Sequence, residues 1–207
     1  MSALIASALL AYLIGSVSGS LLLGRLRQVD IRTMGSGNAG GTNAFRTQGP
    51  AFALGVVVID VGKAALSTAL LPGLLAAPAA AGLVQLVCGF SVVLGHCYPV
   101  FHGFRGGKGA ATVVGALGVI APALLAPMLL TWLLVLGLSG YVGLATVLAG
   151  FSLVPMAYLH YGPSPLLWFT LVLALFMAFT HRANMRRLLS GTESRFERAR
   201  FLHWFRR

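Results

Sequence analysis

The sequence predicts an all-α bundle of membrane-spanning helices, and three observations carry that prediction. Apolar residues make up 57% of the chain and charged residues 9%, far from the ordinary composition of a soluble domain. The long apolar runs show no strand-like alternation. Since backbone polar groups cannot stay unpaired in hydrocarbon, these runs are spans of helix and not of a barrel. Finally, of the 15 Lys and Arg residues all but Lys63 fall into three short polar windows, 25–50, 102–109 and from 181 onward.

The first three runs, 2–24, 51–71 and 79–100, are each near the ~20 residues that cross a bilayer. The first basic residue is Arg25, so the start lacks the positive segment of a secretory signal and is expected to remain as a span. Window 25–50 carries Arg25, Arg27, Arg32 and Arg46, window 102–109 carries Arg105 and Lys108, and 72–78 carries no charge. The positive-inside rule puts the first two in the cytoplasm and the third outside.

From Ala110 to Thr180 there is no charged residue, and the tail from His181 carries eight Arg, so that end is cytoplasmic as well and the crossings between must be even in number. These 71 residues are too many for two ordinary spans. Breaks at Ala121–Pro122, Gly137–Gly140 and Gly162–Pro165 divide them into four, 110–121, 123–137, 141–160 and 165–180. The expectation is one membrane domain, 1–207, with seven transmembrane helices, the N-terminus outside and the C-terminus cytoplasmic. Five spans and a re-entrant segment satisfy the same parity, and 110–121 is short enough for that segment. The tail 196–207 alternates basic and aromatic residues, Trp204 among them, and is expected to lie on the membrane surface.

Within the spans, Gly15-x-x-x-Gly19 allows close helix approach. Asp60 and Lys63, three apart in the second span, share a helix face and neutralise each other, or else line a substrate path. Cys88 and Cys97 form no CxxC, which disfavours a disulfide or metal site. The net charge of +11 does not mark a nucleic-acid binder, because the positive residues flank spans instead of covering a globular face. Anionic lipids and phosphorylated substrates are the expected neighbours.

Window 25–50 holds Gly35-Ser36-Gly37-Asn38-Ala39-Gly40-Gly41-Thr42-Asn43 followed by Arg46. Glycines expose backbone N–H groups, and Ser, Thr and Asn add donors beside a guanidinium, which suits a phosphate if the next helix starts here. The formal GxGxxG match is discounted because no strand precedes it; the bland alternative is a flexible connection. In 102–109, Gly103-Phe104-Arg105-Gly106-Gly107-Lys108-Gly109 is one residue short of a P-loop and has Gly109 where a Mg²⁺-binding hydroxyl belongs. A nucleotide hydrolase is disfavoured, whereas Lys108 and the amides of Gly106, Gly107 and Gly109 suit a phosphate without a metal. The third window, 181–195, opens with His181 and Asn184 at i, i+3, on one face if helical. His transfers protons near neutral pH, although a lone interfacial His is more often structural.

The chemistry that fits is metal-independent handling of phosphorylated substrates at the membrane surface. Asp30, Asp60, Glu193 and Glu197 are too few carboxylates for a Mg²⁺-dependent headgroup transferase. The His-x₄-Asp pattern of soluble-type glycerolipid acyltransferases is missing, since Phe101, Gly107, Pro165 and Arg186 stand five after His96, His102, His160 and His181. A small transporter or flippase for organic phosphates is the rival from another class, but it predicts polar determinants near the midplane and gating on both sides.

The residues resemble a known family, the integral-membrane acyl-phosphate:glycerol-3-phosphate acyltransferases of bacteria. Three stretches match its motifs in order and spacing over nearly the whole chain: Gly35–Arg46; Gly95-His96-Cys97-Tyr98-Pro99-Val100-Phe101 through Gly106–Gly109; and His181–Asn184 with Arg187–Glu193. Asp60-x-x-Lys63 also looks like the family's second-span pattern, with Ala64 where Gly is frequent, and Gly41 replaces a common Ala. The resemblance implies seven spans and transfer of a fatty acyl group from acyl phosphate to the 1-hydroxyl of sn-glycerol 3-phosphate, giving lysophosphatidic acid and phosphate. It implies no cofactor and no metal, a multi-pass place in the bacterial inner membrane, and as a partner the soluble enzyme that makes the acyl phosphate. Ser36, Gly37, Asn38, Thr42, Asn43 and Arg46 are then expected to bind phosphate and polar substrate, with Ser36 close to the reacting carbonyl. Gly106, Gly107, Lys108 and Gly109 are expected on the other phosphate. His181 and Asn184 are expected to orient the attacking hydroxyl and Glu193 to support them.

Overall fold

The structure is a computed structural model describing residues 2–201, without the side chain of Arg198. It divides the chain into two compact units, Met1–Ala121 and Pro122–Arg207. Both are helical throughout, among the described residues, apart from loops.

In the first unit, α1 (Ser2–Gly15) and α2 (Gly19–Leu26) together make the first apolar crossing, and α3 (Gly41–Gln48) is a short polar helix inside the first window. Then come α4 (Pro50–Leu75), α5 (Ala81–Cys97) and α6 (Ala110–Ile120). The sequence places the second span at 51–71, but α4 runs through Pro72 and ends at Leu75, because a proline three residues from a helix end removes only one bond from the last turn.

The first crossing is broken at Ser16–Ser18, which leaves carbonyls without helical partners in an apolar setting. The second-span pair fills the gap. Lys63 Nζ donates to Gly15 O at 2.9 Å and Val17 O at 2.6 Å, Asp60 Oδ1 accepts from Gly19 N at 3.1 Å, and the two side chains pair at 2.9 Å. The glycines at both ends are forced by packing: a Cβ at Gly15 would collide with Val92 O, and one at Gly19 would sit 2.9 Å from Val56 O.

The second unit holds α7 (Leu125–Ser139), α8 (Val142–Tyr161), α9 (Pro165–Thr180) and α10 (Arg182–Leu189). Ser164 caps α9 by accepting from Leu167 N, with Pro165 at the first helical position, where its missing N–H is harmless. Residues 195–201 dock on the α7–α8 turn: Phe196 N donates to Gly140 O, Arg195 Nε to Ser139 O, and the Arg195 guanidinium lies 5.0 Å from the Tyr141 ring centre. The tail that the sequence places on the membrane surface, 196–207, is described only to Phe201; residues 202–207, with Trp204, lie outside the described residues.

Among the described residues five helical segments are long and apolar enough to cross a bilayer, and six if α9 and α10, bent by 56°, count as one crossing. The exception is α6. Its 11 residues reach about 17 Å at ~1.5 Å per residue, against a hydrocarbon core of ~30 Å. The chain is thus an all-α polytopic membrane bundle.

Candidate active site

In the first window the loop between α2 and α3 is folded around one side chain. Asn43 is buried; its Oδ1 accepts from Ser36 N at 2.9 Å, while its Nδ2 donates to Ile31 O at 2.9 Å and Met34 O at 3.0 Å. Gly35 must be glycine, since its φ is +54° and a Cβ would collide with Asn43 Oδ1. Asn43 thus holds the loop with both Nδ2 protons and one Oδ1 lone pair. Ser36, Gly37, Thr42 and Arg46 stay exposed and Asn38 is half-buried. Thr42 and Arg46, four apart on α3, lie on one face.

The second window is locked to the first. Ala39 N donates to Gly106 O at 3.4 Å, Ser20 Oγ holds Ala39 O at 2.9 Å, and the Arg32 guanidinium spans the two loops. Its Nε and NH2 grip the Asp30 carboxylate at 2.8–3.1 Å, and its NH1 donates to His102 O at 3.0 Å and Arg105 O at 3.3 Å. The bond from Arg32 holds the Asp30 carboxyl below the usual carboxylate range, against partial burial that acts the other way. The sequence reading gave Arg32 only a topological role. Its spacing from Asp30 was the available signal.

The amides of Gly106 and Gly107 donate to Cys97 O at 3.2 Å and His96 O at 3.1 Å, closing the C-terminal end of α5. The lack of side chains at these two residues is needed for contact: a Cβ at Gly106 would strike His96 O, and one at Gly107 the His96 ring. Gly109, with φ +92°, is the N-cap of α6, and half-buried Lys108 immediately precedes it. A lysine beside the positive end of a helix is a physical basis for anion binding.

In the second unit, His181 sits at the bend where α9 ends and α10 begins. It is buried, and its Nδ1 lies 2.8 Å from Met177 O. A carbonyl only accepts, so in the neutral ring the proton is on Nδ1 and the basic lone pair on Nε2. One turn on, Asn184 Nδ2 donates to Glu193 Oε1 at 2.6 Å, and Arg187 Nε donates to Glu193 Oε2 at 2.6 Å. Arg187 O in turn accepts from Thr192 N and Glu193 N. Gly143 on α8 leaves room for Asn184, since a Cβ there would come within 2.7 Å of it. Among the described residues no three His, Cys, Asp or Glu side chains converge as a metal site.

Within the first unit, then, the structure brings windows 25–50 and 102–109 together; within the second it gathers His181, Asn184, Arg187 and Glu193 on one helical corner. Residues 5–191 match the family model described as glycerol-3-phosphate acyltransferase. Among curated relatives, the glycerol-3-phosphate acyltransferase of Chlorobium luteolum is 35% identical, over 94% of this chain and 97% of its own. That of Desulforudis audaxviator is 40% identical, over 90% and 92%. The crystal structure of PlsY (YgiH), an integral membrane glycerol 3-phosphate acyltransferase in its glycerol 3-phosphate form, superposes with a TM-score of 0.85 at 33% identity, covering 95% of this chain and 96% of that one. Its lysophosphatidic acid form gives 0.83 at 32% identity, over 94% and 95%. On the breadth of these matches, the chain belongs to the glycerol-3-phosphate acyltransferase family.

Proposed function

We propose that the three windows divide one acyl transfer among them, with Lys108 and Arg46 as phosphate ligands and His181 and Asn184 at the attacking hydroxyl. The reaction is transfer of a fatty acyl group from acyl phosphate to the 1-hydroxyl of sn-glycerol 3-phosphate, giving lysophosphatidic acid and inorganic phosphate. The supporting observation is the match to PlsY in forms holding glycerol 3-phosphate and lysophosphatidic acid, which are the substrate and product of this step.

An acyl phosphate is a mixed anhydride and carries its own activation. The glycerol oxygen adds to the carbonyl carbon, the carbon–oxygen bond to phosphate breaks, and phosphate leaves with the electron pair. No enzyme nucleophile, acyl-enzyme or metal is needed, and catalysis reduces to orientation, oxyanion support and removal of one proton. In this reading Ser36 lies by the reacting carbonyl, while Gly37, Asn38, Thr42 and Arg46 hold polar substrate. Lys108 with Gly109 at the head of α6 holds the other phosphate, and Gly106 and Gly107 serve as the close-packed base of that loop. The Nε2 of His181 receives the hydroxyl proton, Asn184 orients the hydroxyl, and Glu193 fixes Asn184. The chain is a multi-pass protein of the bacterial inner membrane. For its topology we favour one domain of seven crossings, with α6 as a short one, the N-terminus outside, and the C-terminus and active site cytoplasmic, on the basic windows and their parity.

The test is kinetic. Replacement of Lys108 by Ala in correctly inserted protein should lower kcat/KM by about a hundredfold or more, the effect of losing a charge-assisted contact to the phosphate. Unchanged acyl transfer would remove Lys108 from the site.

A further inference from the structure

We propose that the buried Asp60–Lys63–His96 cluster is a positioning device for Lys108, holding the 106–109 loop at the geometry that binds phosphate. The inference rests on the reading of Lys108 as a phosphate ligand.

The three side chains are 1%, 7% and 3% exposed. Lys63 Nζ has four acceptors in reach: Gly15 O, Val17 O, Asp60 Oδ1 and, at 3.1 Å, His96 Nδ1. An ammonium has three N–H groups, so the two carbonyls and the carboxylate already satisfy it, and Asp60 already neutralises it. His96 Nδ1 also lies 3.4 Å from Asp60 Oδ1, so one edge of the ring joins a pair whose charges already compensate each other without it.

The far side of the His96 ring supplies the reason. Its Nε2 edge lies against Gly107, so closely that a Cβ there would collide with it. The main chain of the same turn closes on the same loop, through Gly107 N to His96 O and Gly106 N to Cys97 O. Lys108 is the next residue and α6 follows at once. That helix is seated on the same turn of α4, since a Cβ at Gly115 would collide with Val61 O, between Asp60 and Lys63. One turn of α4 thus references the break in the first crossing, the His96 ring and the middle of α6, and Lys108 lies in the chain between the last two. His96 acts through the loop, as a positioning residue.

The experiment uses the full chain in detergent with acyl phosphate and glycerol 3-phosphate. His96→Asn keeps an acceptor near the Nδ1 position for Lys63 and removes the ring edge beneath Gly107. The expected result is unchanged folding by gel filtration and a KM for one phosphate substrate raised by about tenfold, with kcat within about threefold; in the Lys108→Ala background the same replacement changes KM by less than about twofold. Wild-type kinetics for His96→Asn, or a tenfold rise that persists on Lys108→Ala, overturns the proposal. Lys108→Ala with normal kinetics on its own overturns the phosphate reading of Lys108, and is told apart because it needs no His96 variant. Gly107→Ala is the second variant, for use if His96→Asn does not fold: its Cβ pushes the loop off the His96 ring and leaves the Asp60 and Lys63 side chains unchanged. It should raise the same KM, and a normal KM also overturns the proposal.

Discussion

In the first unit the candidate functional loops are held by side chains that bond to loop backbone; in the second, by side chains that bond to one another within one short stretch of chain. Window 25–50 hangs on Asn43 bonds to Ser36 N, Ile31 O and Met34 O, and is tied to window 102–109 by Arg32, across about seventy residues of sequence. The His181 corner uses Asn184, Arg187 and Glu193, all within nine residues of one another. The first arrangement is cooperative, since removing one side chain releases several backbone groups at once. The second is modular, and its parts can be weakened singly.

The largest effect should come from the chemistry itself. His181→Ala should lower kcat by about 10²–10⁴-fold, the range for loss of a positioned proton acceptor, with insertion and KM little changed. A decrease under tenfold in the phosphate-release assay would make His181 structural. Next comes the cooperative loop. Asn43→Ala orphans three backbone partners, at ~1–3 kcal/mol for each group left buried and unsatisfied, so both melting temperature and activity should fall. Asn43→Asp keeps the acceptor for Ser36 N and loses the two donors, so it should fall between wild type and Asn43→Ala. If both variants behave like wild type, the picture of a loop held through its backbone by one side chain is wrong.

On the modular side, Glu193→Gln leaves one amide oxygen, which accepts from Asn184 or from Arg187 but not from both, so one of the two bonds is lost and the other no longer has a carboxylate acceptor. A decrease of about two- to tenfold in kcat without a lower melting temperature is expected; a large loss of stability would show that this corner is as cooperative as the other. The smallest effect belongs to Asp30. Its pKa is lowered by Arg32 in the folded chain, so its contribution is complete above the ordinary carboxylate range and is lost as pH falls through the lowered folded value. Melting temperature should therefore decline on acidification below about pH 4, and Asp30→Asn should flatten that decline. An unchanged acid limb would assign it to other carboxylates.

Much of this was legible in the sequence, for reasons that differ by region. Helix positions followed the apolar runs to within a few residues, because length and Gly or Pro breaks dominate in lipid. The first crossing was the exception: Gly15-Ser16-Val17-Ser18-Gly19 reads as a packing motif, and nothing local shows that Lys63 and Asp60 will bridge a break there. The His181–Asn184 pair was legible from its local i, i+3 spacing, whereas Glu193 entered only through the family resemblance. The inward turn of Asn43, the capping of α5 by Gly106 and Gly107, the Arg32 bridge and the place of His96 were not, because each depends on a partner set by tertiary packing. Glycine-rich loops read as phosphate cradles by default, and here part of that glycine content serves close backbone contact.

The most direct test of the central claim is product stoichiometry. Purified protein in detergent, given acyl phosphate and glycerol 3-phosphate alone, should form lysophosphatidic acid and release inorganic phosphate in a one-to-one ratio. No product, or product only when acyl-CoA or acyl carrier protein replaces the acyl phosphate, would contradict it.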